Sequence, residues 1–186
     1  MTALRAELLI GRAVALAGDV GDGVRGALVG LGARVETLPP SEELAADQER
    51  LGEWARAHDP LDALVYDAGS AFADGGPEAL VASTEGAWVA IREVANGALI
   101  PADAPGKVLL IGPRPNAGAH AAAARAALEN LARTLSVEWA RYGVTTAMLA
   151  PGDATTEAEL AELVCFLVSP AGEYLSGCRL ELGAVA

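Results

Sequence analysis

The chain has 186 residues, is 52% apolar and carries a formal net charge of −12. This length and composition suit a globular protein with one core, and we expect a single domain over residues 1–186. The acidic charge argues against nucleic acid and anionic membranes as partners. Its apolar runs, about 4–8 residues long, are too short to span a membrane. No basic and apolar leader opens the sequence, so we expect a cytoplasmic protein.

The first third of the chain is predicted to alternate buried strands with helices. Short apolar or β-branched runs cover residues 13–17, 34–38 and 61–69, and Gly18 ends the first of them. A helix is predicted over residues 41–58, with Ser41 as its N-cap. Its inward side chains are expected to be Leu44, Leu51 and Trp54.

The rest of the chain continues the alternation. Helices are predicted over residues 77–101 and about 119–141, and strands over 107–111 and 144–149. The inward face of the long helix 119–141 carries Leu128, Leu131, Leu135 and Trp139. A last helix follows Thr156, and a last strand covers 177–182. There Cys178, Leu180 and Leu182 alternate with Arg179 and Glu181, which predicts one buried face.

Residues 106–152 carry a family resemblance. The text "AALENLARTLSVEWARYGVTTAMLAPG" resembles the core of the short-chain dehydrogenase/reductase family, and "LVYDAG" at 64–69 resembles its "LVNNAG" strand. The resemblance implies an α/β, Rossmann-like, doubly wound parallel sheet. Compared with the family, one β–α step and the substrate lid are missing. The expected strand order, in the family's labels, is therefore 2-1-4-5-6-7.

In this family a glycine loop after the first strand holds the cofactor pyrophosphate at a helix N-terminus. The resemblance places Gly18, Gly21 and Gly23 in that loop, which is shorter here and has Asp19 and Asp22 where the pyrophosphate would lie. Two carboxylates would repel a diphosphate. The family's ribose-binding acid is replaced by proline, and its adenine-binding segment is absent. We therefore expect no cofactor on this chain.

The family's catalytic Asn, Ser, Tyr and Lys are also replaced. By the same resemblance, Arg125 stands at the lysine position, Ala121 at the tyrosine and Ser83 at the asparagine, and the serine region begins at Gly112 and contains no serine. The general acid and its supporting cation are thus lost, and we expect no hydride transfer by this chain. A second hypothesis is an unusual active site formed by His120, Arg125, Asp67 and Tyr66.

The segments through which the family forms oligomers are retained. The resemblance assigns Trp88 on the helix after "LVYDAG", and the last strand, to subunit contacts. The outer face of the long helix has small residues at four-residue spacing, which allows close helix approach. The expected interface comprises Trp88, Ala122, Ala126, Asn130, Arg133, Val137, Cys178, Leu180 and Leu182.

These expectations favour a non-catalytic subunit that assembles with a catalytically complete relative. The resemblance implies that this partner binds NAD(P), and that the complex acts on a ketoacyl or hydroxyacyl thioester. Two alternatives stay open: an NAD(P)-dependent oxidoreductase with an atypical site, and a homo-oligomeric binding or scaffold protein. Cys165 and Cys178 have no metal-ligand spacing, so we expect buried free thiols and no metal site.

Overall fold

A computed structural model describes residues 4–40, 44–58, 60–72 and 76–183. These residues form one sheet of six parallel strands in the order β2-β1-β3-β4-β5-β6. The order is the one expected from the trimmed family pattern, and the predicted Rossmann-like α/β fold is confirmed. The strands are β1 (Ala13–Gly18), β2 (Arg34–Thr37), β3 (Ala63–Asp67), β4 (Gly106–Ile111), β5 (Val144–Pro151) and β6 (Cys178–Leu182).

Five α-helices cover the two faces of this sheet in the described part of the chain. They are α1 (Asp22–Gly30), α2 (Leu44–Ala57), α3 (Pro77–Val94), α4 (Ala121–Glu138) and α5 (Glu157–Val168). Helix α3 continues into one wide turn at Ala95–Leu99. Helix α4 is shorter than predicted at both ends, because His120 leaves helical geometry and a separate 3₁₀ turn forms at Ala140–Tyr142. The predicted N-cap Ser41 and the side chain of Leu44 lie outside what the structure describes.

The apolar residues form one core on each face of the sheet. Helices α1 and α5 pack on one face, and α2, α3 and α4 pack on the other. Strand β4 is buried along its whole length, as its continuous apolar sequence predicts for a strand covered on both faces. Of the predicted inward residues, Leu51, Leu128, Leu135 and Trp139 are buried, and Trp54 and Leu131 are partly buried against the core.

The prediction of a buried face on the last strand is wrong. Cys178, Leu180 and Leu182 are only half-buried, because β6 is an edge strand that pairs with β5 alone. Cys178 is therefore not the buried thiol that was expected, whereas Cys165 is fully buried. Among the described helices, none is long and apolar enough to cross a membrane.

The only lysine of the sequence lies in the interior. Lys107, on β4, is 4% exposed, and its Nζ donates hydrogen bonds to the carbonyl oxygens of Leu167 (3.0 Å) and Ser169 (2.5 Å) at the end of α5. The ammonium group thus satisfies carbonyls that the helix end leaves unpaired. Burial lowers the pKa of Lys107 to about 8, although the charge of Glu173 opposes this shift.

We predict that Lys107 makes the fold more stable as the pH rises from about 8 to about 10.5. The folded state binds the Lys107 proton less tightly than the unfolded state does. The free-energy cost of burying the charged group therefore applies in full below pH 8 and disappears above pH 10.5. The upper bound of the change is about 3 kcal/mol. The difference in unfolding free energy between the wild type and Lys107→Met, measured at several pH values, isolates this contribution.

Lys107→Arg is the control for that difference, because its charge does not titrate in this range. Burial also raises the pKa of Cys165 to about 11, which contributes an opposite slope that is common to all three proteins. Isotope-labelled lysine gives one side-chain signal, whose midpoint should lie near pH 8. A midpoint at the ordinary value near 10.5 would contradict the assignment.

Candidate functional site

The candidate site is the crevice at the carboxyl ends of the central strands. The order of the strands reverses between β1 and β3, the point at which sheets of this type bind ligands. A cavity of about 340 Å³ lies there. Its walls come from the ends of β1, β3, β4 and β5 and from α5: Asp19, Asp67, Ser70, Gly112, Pro113, Arg114, Asn116, Pro151 and Leu160.

Asp67 is the half-buried carboxylate of this crevice. Its Oδ1 accepts hydrogen bonds from the backbone N–H groups of Gly69 (2.8 Å) and Ser70 (3.3 Å). Burial raises the pKa of Asp67 to about 6, against the opposing effect of these two bonds, and the charge of Asp19 adds to the rise. One of the two carboxylate oxygens is thus engaged in holding the turn after β3.

A carboxylate of the chain itself occupies the amino end of α1. Thr156 caps α5 in a capping box with Glu159, so Glu157 is the first residue of that helix. The Oε1 atom of Glu157 accepts a hydrogen bond of 2.7 Å from the backbone N–H of Gly23. A helix N-terminus attracts an anion, and here Glu157 supplies it.

The three loop glycines fit this arrangement. A β-carbon on Gly21 or Gly23 would lie 2.5–2.6 Å from the Glu157 carboxylate group, so both glycines make room for that side chain. Gly18 ends β1 with φ +76°, and a β-carbon there would overlap the carbonyl oxygen of Asp67. The carboxylate that accepts a hydrogen bond from the end of α1 is that of Glu157, and the repulsion expected from Asp19 and Asp22 stays a prediction.

The lysine position of the family is filled by a buried arginine with a structural role. Arg125 is 8% exposed, and its Nη1 donates to the carbonyl oxygens of Pro113 (2.7 Å) and Pro151 (2.8 Å). These carbonyls follow β4 and end β5, so the guanidinium joins two neighbouring strand ends. Burial and the charge of Arg179 lower the pKa of Arg125, while Glu181, 3.9 Å from Nη2, opposes them.

The tyrosine position is occupied by apolar packing. Ala121 is fully buried, and it forms a small cluster with Ala124 and with Phe72 from the turn after β3. Burial of a phenylalanine side chain contributes about 1.5–3 kcal/mol. Alanine has no hydroxyl group, so residue 121 cannot protonate a carbonyl. The phenyl ring of Phe72 packs beside it.

The asparagine and serine positions are likewise closed. Ser83 is fully buried, and its hydroxyl donates to the carbonyl oxygen of Leu80 within α3 (3.1 Å). A β-carbon on Gly112 would overlap the Cε methyl group of Met148, which therefore occupies the space of a side chain at position 112.

The loop between β5 and α5 is held by residues that follow β4. The Arg114 guanidinium donates to the carbonyl oxygens of Gly152 (2.7 Å), Asp153 (3.1 Å) and Thr155 (2.7 Å). The backbone N–H of Asn116 donates to the Asp153 carboxylate (3.0 Å). Both arginines near the crevice thus bind backbone oxygens, and neither presents a free guanidinium to a ligand.

The structure does not bring the four residues of the atypical-site hypothesis together. Tyr66 lies on the α2–α3 side of β3, whereas Asp67 faces the crevice. Arg125 is engaged by carbonyls. His120 precedes α4, does not line the crevice, and its side chain makes no hydrogen bond to any described residue. Within the described ranges, no group of three His, Cys, Asp or Glu side chains could hold a metal ion.

The predicted interface residues of α4 form an exposed stripe. Ala122, Ala126, Asn130, Arg133 and Val137 all face away from the sheet, and Val137 is 78% exposed. Trp88 on α3 is 37% exposed, with the Arg92 guanidinium 5.7 Å above its ring. Their role in assembly stays a prediction.

A dinucleotide does not fit the site as it stands. Its pyrophosphate would compete with Glu157 for the amino end of α1, and Asp19 adds negative charge at the cavity mouth. The sequence pattern did not predict Glu157, Phe72, Met148 or Arg114 as the residues that fill the site. The capping box at Thr156 was the one available signal, because it fixes Glu157 at the start of α5.

We predict that Arg125→Met lowers the free energy of unfolding by about 2–4 kcal/mol, because the buried carbonyls of Pro113 and Pro151 lose their donor. Arg133→Met on the same helix is the matched control. Its side chain is 64% exposed and forms a surface ion pair, so the expected loss is below about 1 kcal/mol. Urea unfolding of both variants checks this, and equal losses would contradict the structural role of Arg125.

No family model and no curated protein matches the chain. Its solved structural neighbours include a citronellol catabolism dehydrogenase of Pseudomonas aeruginosa PAO1 (TM-score 0.79, 22% identity, 98% of each chain). A hydroxysteroid dehydrogenase of Escherichia coli has a TM-score of 0.75 at 19% identity, over 97% of this chain and 99% of that one. BdcA of E. coli in complex with NADPH has a TM-score of 0.73 at 20% identity, over 94% of each chain. The chain therefore has the fold of the short-chain dehydrogenases and reductases, as its sequence implied.

Proposed function

We propose that this chain is a non-catalytic subunit that assembles with a catalytically complete short-chain dehydrogenase or reductase. The observation that carries the proposal is the pairing of a filled site with an uncovered helical face. Glu157 binds the helix end at which a cofactor phosphate would lie, Arg125 holds the lysine position, and Phe72 packs beside Ala121 at the tyrosine position. The proposal assigns NAD(P) to the partner, with no cofactor on this chain.

The uncovered surface, which we call the α3–α4 face, has the composition of a helical interface. It comprises Val81, Trp88, Ala122, Ala126, Asn130, Arg133 and Val137. Val81 is 49% exposed and Val137 is 78% exposed, and Trp88, two turns after Val81 on α3, is 37% exposed. Alanines at four-residue spacing let a partner helix approach closely, and a partly exposed tryptophan is a frequent interface anchor.

A partner with the same fold suits this face best. An interface around a two-fold axis is self-complementary, so two related chains can keep it after one of them has lost its active site. Arg133 and Asn130 are the polar groups near its centre. We further propose, from the family resemblance alone, that the complex acts on a ketoacyl or hydroxyacyl thioester.

Assembly with itself is the principal alternative, because a self-complementary face can also join two copies of this chain. It would make the protein a homo-oligomeric binding or scaffold protein. The oxidoreductase with an atypical site has less support, since its four candidate residues point to different places. The two assemblies differ in native mass.

We predict that Val137→Glu abolishes the hetero-complex without unfolding the chain, because it places a carboxylate in an apolar contact at the last turn of α4, while its own site is 78% exposed. Native mass spectrometry of the tagged protein, purified from its own cells, checks this. The wild type should carry a second chain of about 25–28 kDa, the size of one complete domain of this fold.

Val29→Glu is the matched control, because Val29 is an exposed valine (55%) on α1, across the sheet from the α3–α4 face. It should keep the complex. A stable monomer, or loss of the complex in Val29→Glu but not in Val137→Glu, would contradict the proposed face. A homo-oligomer without a second chain would favour the scaffold alternative.

A further inference from the structure

A row of charged side chains runs from the outer surface of α4 to the edge strand β6. Glu129 on α4 contacts two arginines: its Oε1 lies 2.7 Å from Arg133 Nη2, and its Oε2 accepts a hydrogen bond of 3.0 Å from Arg179 Nη1. Arg179 Nη2 also donates to Glu181 on β6, whose Oε1 lies 3.9 Å from Arg125 Nη2. The most exposed member of this row is Arg133, whose side chain is 64% exposed.

Arg133 is the surplus cation of this row. The four inner members, Arg125, Arg179, Glu129 and Glu181, carry two positive and two negative charges. The buried Nε of Arg179 has no hydrogen-bond partner within the described ranges, so the inner members lack an acceptor and have no use for a further donor. A carboxylate from outside the chain would balance the charge of Arg133, and a second cation would not. The row therefore favours an acidic group next to Arg133.

The position of Arg133 on the α3–α4 face makes this charge relevant to assembly. Arg133 follows Asn130 and precedes Val137 on the exposed stripe of α4. When two copies of one chain meet around a two-fold axis, residues near the axis contact their own copies. A second copy would thus bring a second guanidinium close to the first, where like charges repel. A different chain of the same fold can place a carboxylate there.

We propose that Arg133 selects a different chain over a second copy, because that chain presents an aspartate or glutamate to it where a second copy would present another arginine. This inference rests on the proposed function and specifies the chemistry of the partner at that face. The apolar contacts of Val81, Trp88 and Val137 could be made in either assembly. Specificity therefore comes from the repulsion between two copies as well as from the pair formed with the partner.

The first test is charge reversal at this position. The tagged Arg133→Glu chain, purified from its own cells, should retain about a tenth or less of the second chain that the wild type carries, because the partner's carboxylate then meets another carboxylate. Arg34→Glu is the matched control. Arg34 also pairs with a glutamate, Glu36, and its side chain is 49% exposed, but it lies on β2 at the opposite edge of the sheet. This variant should retain the second chain.

The second test needs no partner chain. The wild type and Arg133→Glu are produced free of other chains, given tags of different mass, mixed in equal amounts and measured by native mass spectrometry. The mixed dimer, in which the arginine meets the substituted carboxylate, should exceed the wild-type homodimer at least about tenfold. Arg133→Met removes the charge without reversing it, so it should form more homodimer than the wild type. Thermal unfolding of each variant checks that it is folded.

The outcomes separate this inference from the proposed function. A wild type that carries no second chain would contradict the proposed function, and the mixed-dimer experiment would still report on the role of Arg133. Two results would overturn the inference itself. One is retention of the second chain by Arg133→Glu as fully as by Arg34→Glu, and the other is a mixed dimer no more abundant than the wild-type homodimer.

Discussion

The guanidinium of Arg125 is the interaction on which the site depends. It bridges the carbonyl oxygens that follow β4 and end β5, and it is buried while doing so. A buried cation is unfavourable unless its donors are satisfied, so the two strand ends and the helix α4 that carries the arginine must keep one geometry. The arginine thus fixes the position of both strand ends at the edge of the crevice.

Three other side chains have a similar structural role on different elements of the site. Glu157 supplies an anion to the amino end of α1, Phe72 packs on Ala121, and the methyl group of Met148 lies beside Gly112. Each fills a space or pairs a group that would otherwise be exposed or unpaired. On the outer faces of α3 and α4, by contrast, the apolar side chains of Val81, Trp88 and Val137 are exposed. This contrast is the reason to test the surface of these two helices.

The fold could be predicted because it rests on local patterns. The apolar run at 108–111 predicts a buried strand, and the leucines at three- and four-residue spacing on α4 predict a helix. The resemblance to the family then predicts the order of the strands in the sheet. The contact between Glu157 and Gly23 joins residues 134 positions apart, which no local pattern encodes. The separation of Tyr66 from Asp67 was predictable in principle, since neighbours on a strand point to opposite faces. The last strand was misjudged because alternation does not say whether a strand lies at an edge.

The most direct test of the account is a fluorescence titration of the purified chain, free of any partner, with NADPH. If the chain's own carboxylate holds the amino end of α1, no saturable change should appear, and the signal should follow dilution and absorbance alone. Saturable binding at micromolar NADPH would contradict the account. It would mean that Glu157 yields its place to a phosphate and that the crevice still serves a dinucleotide.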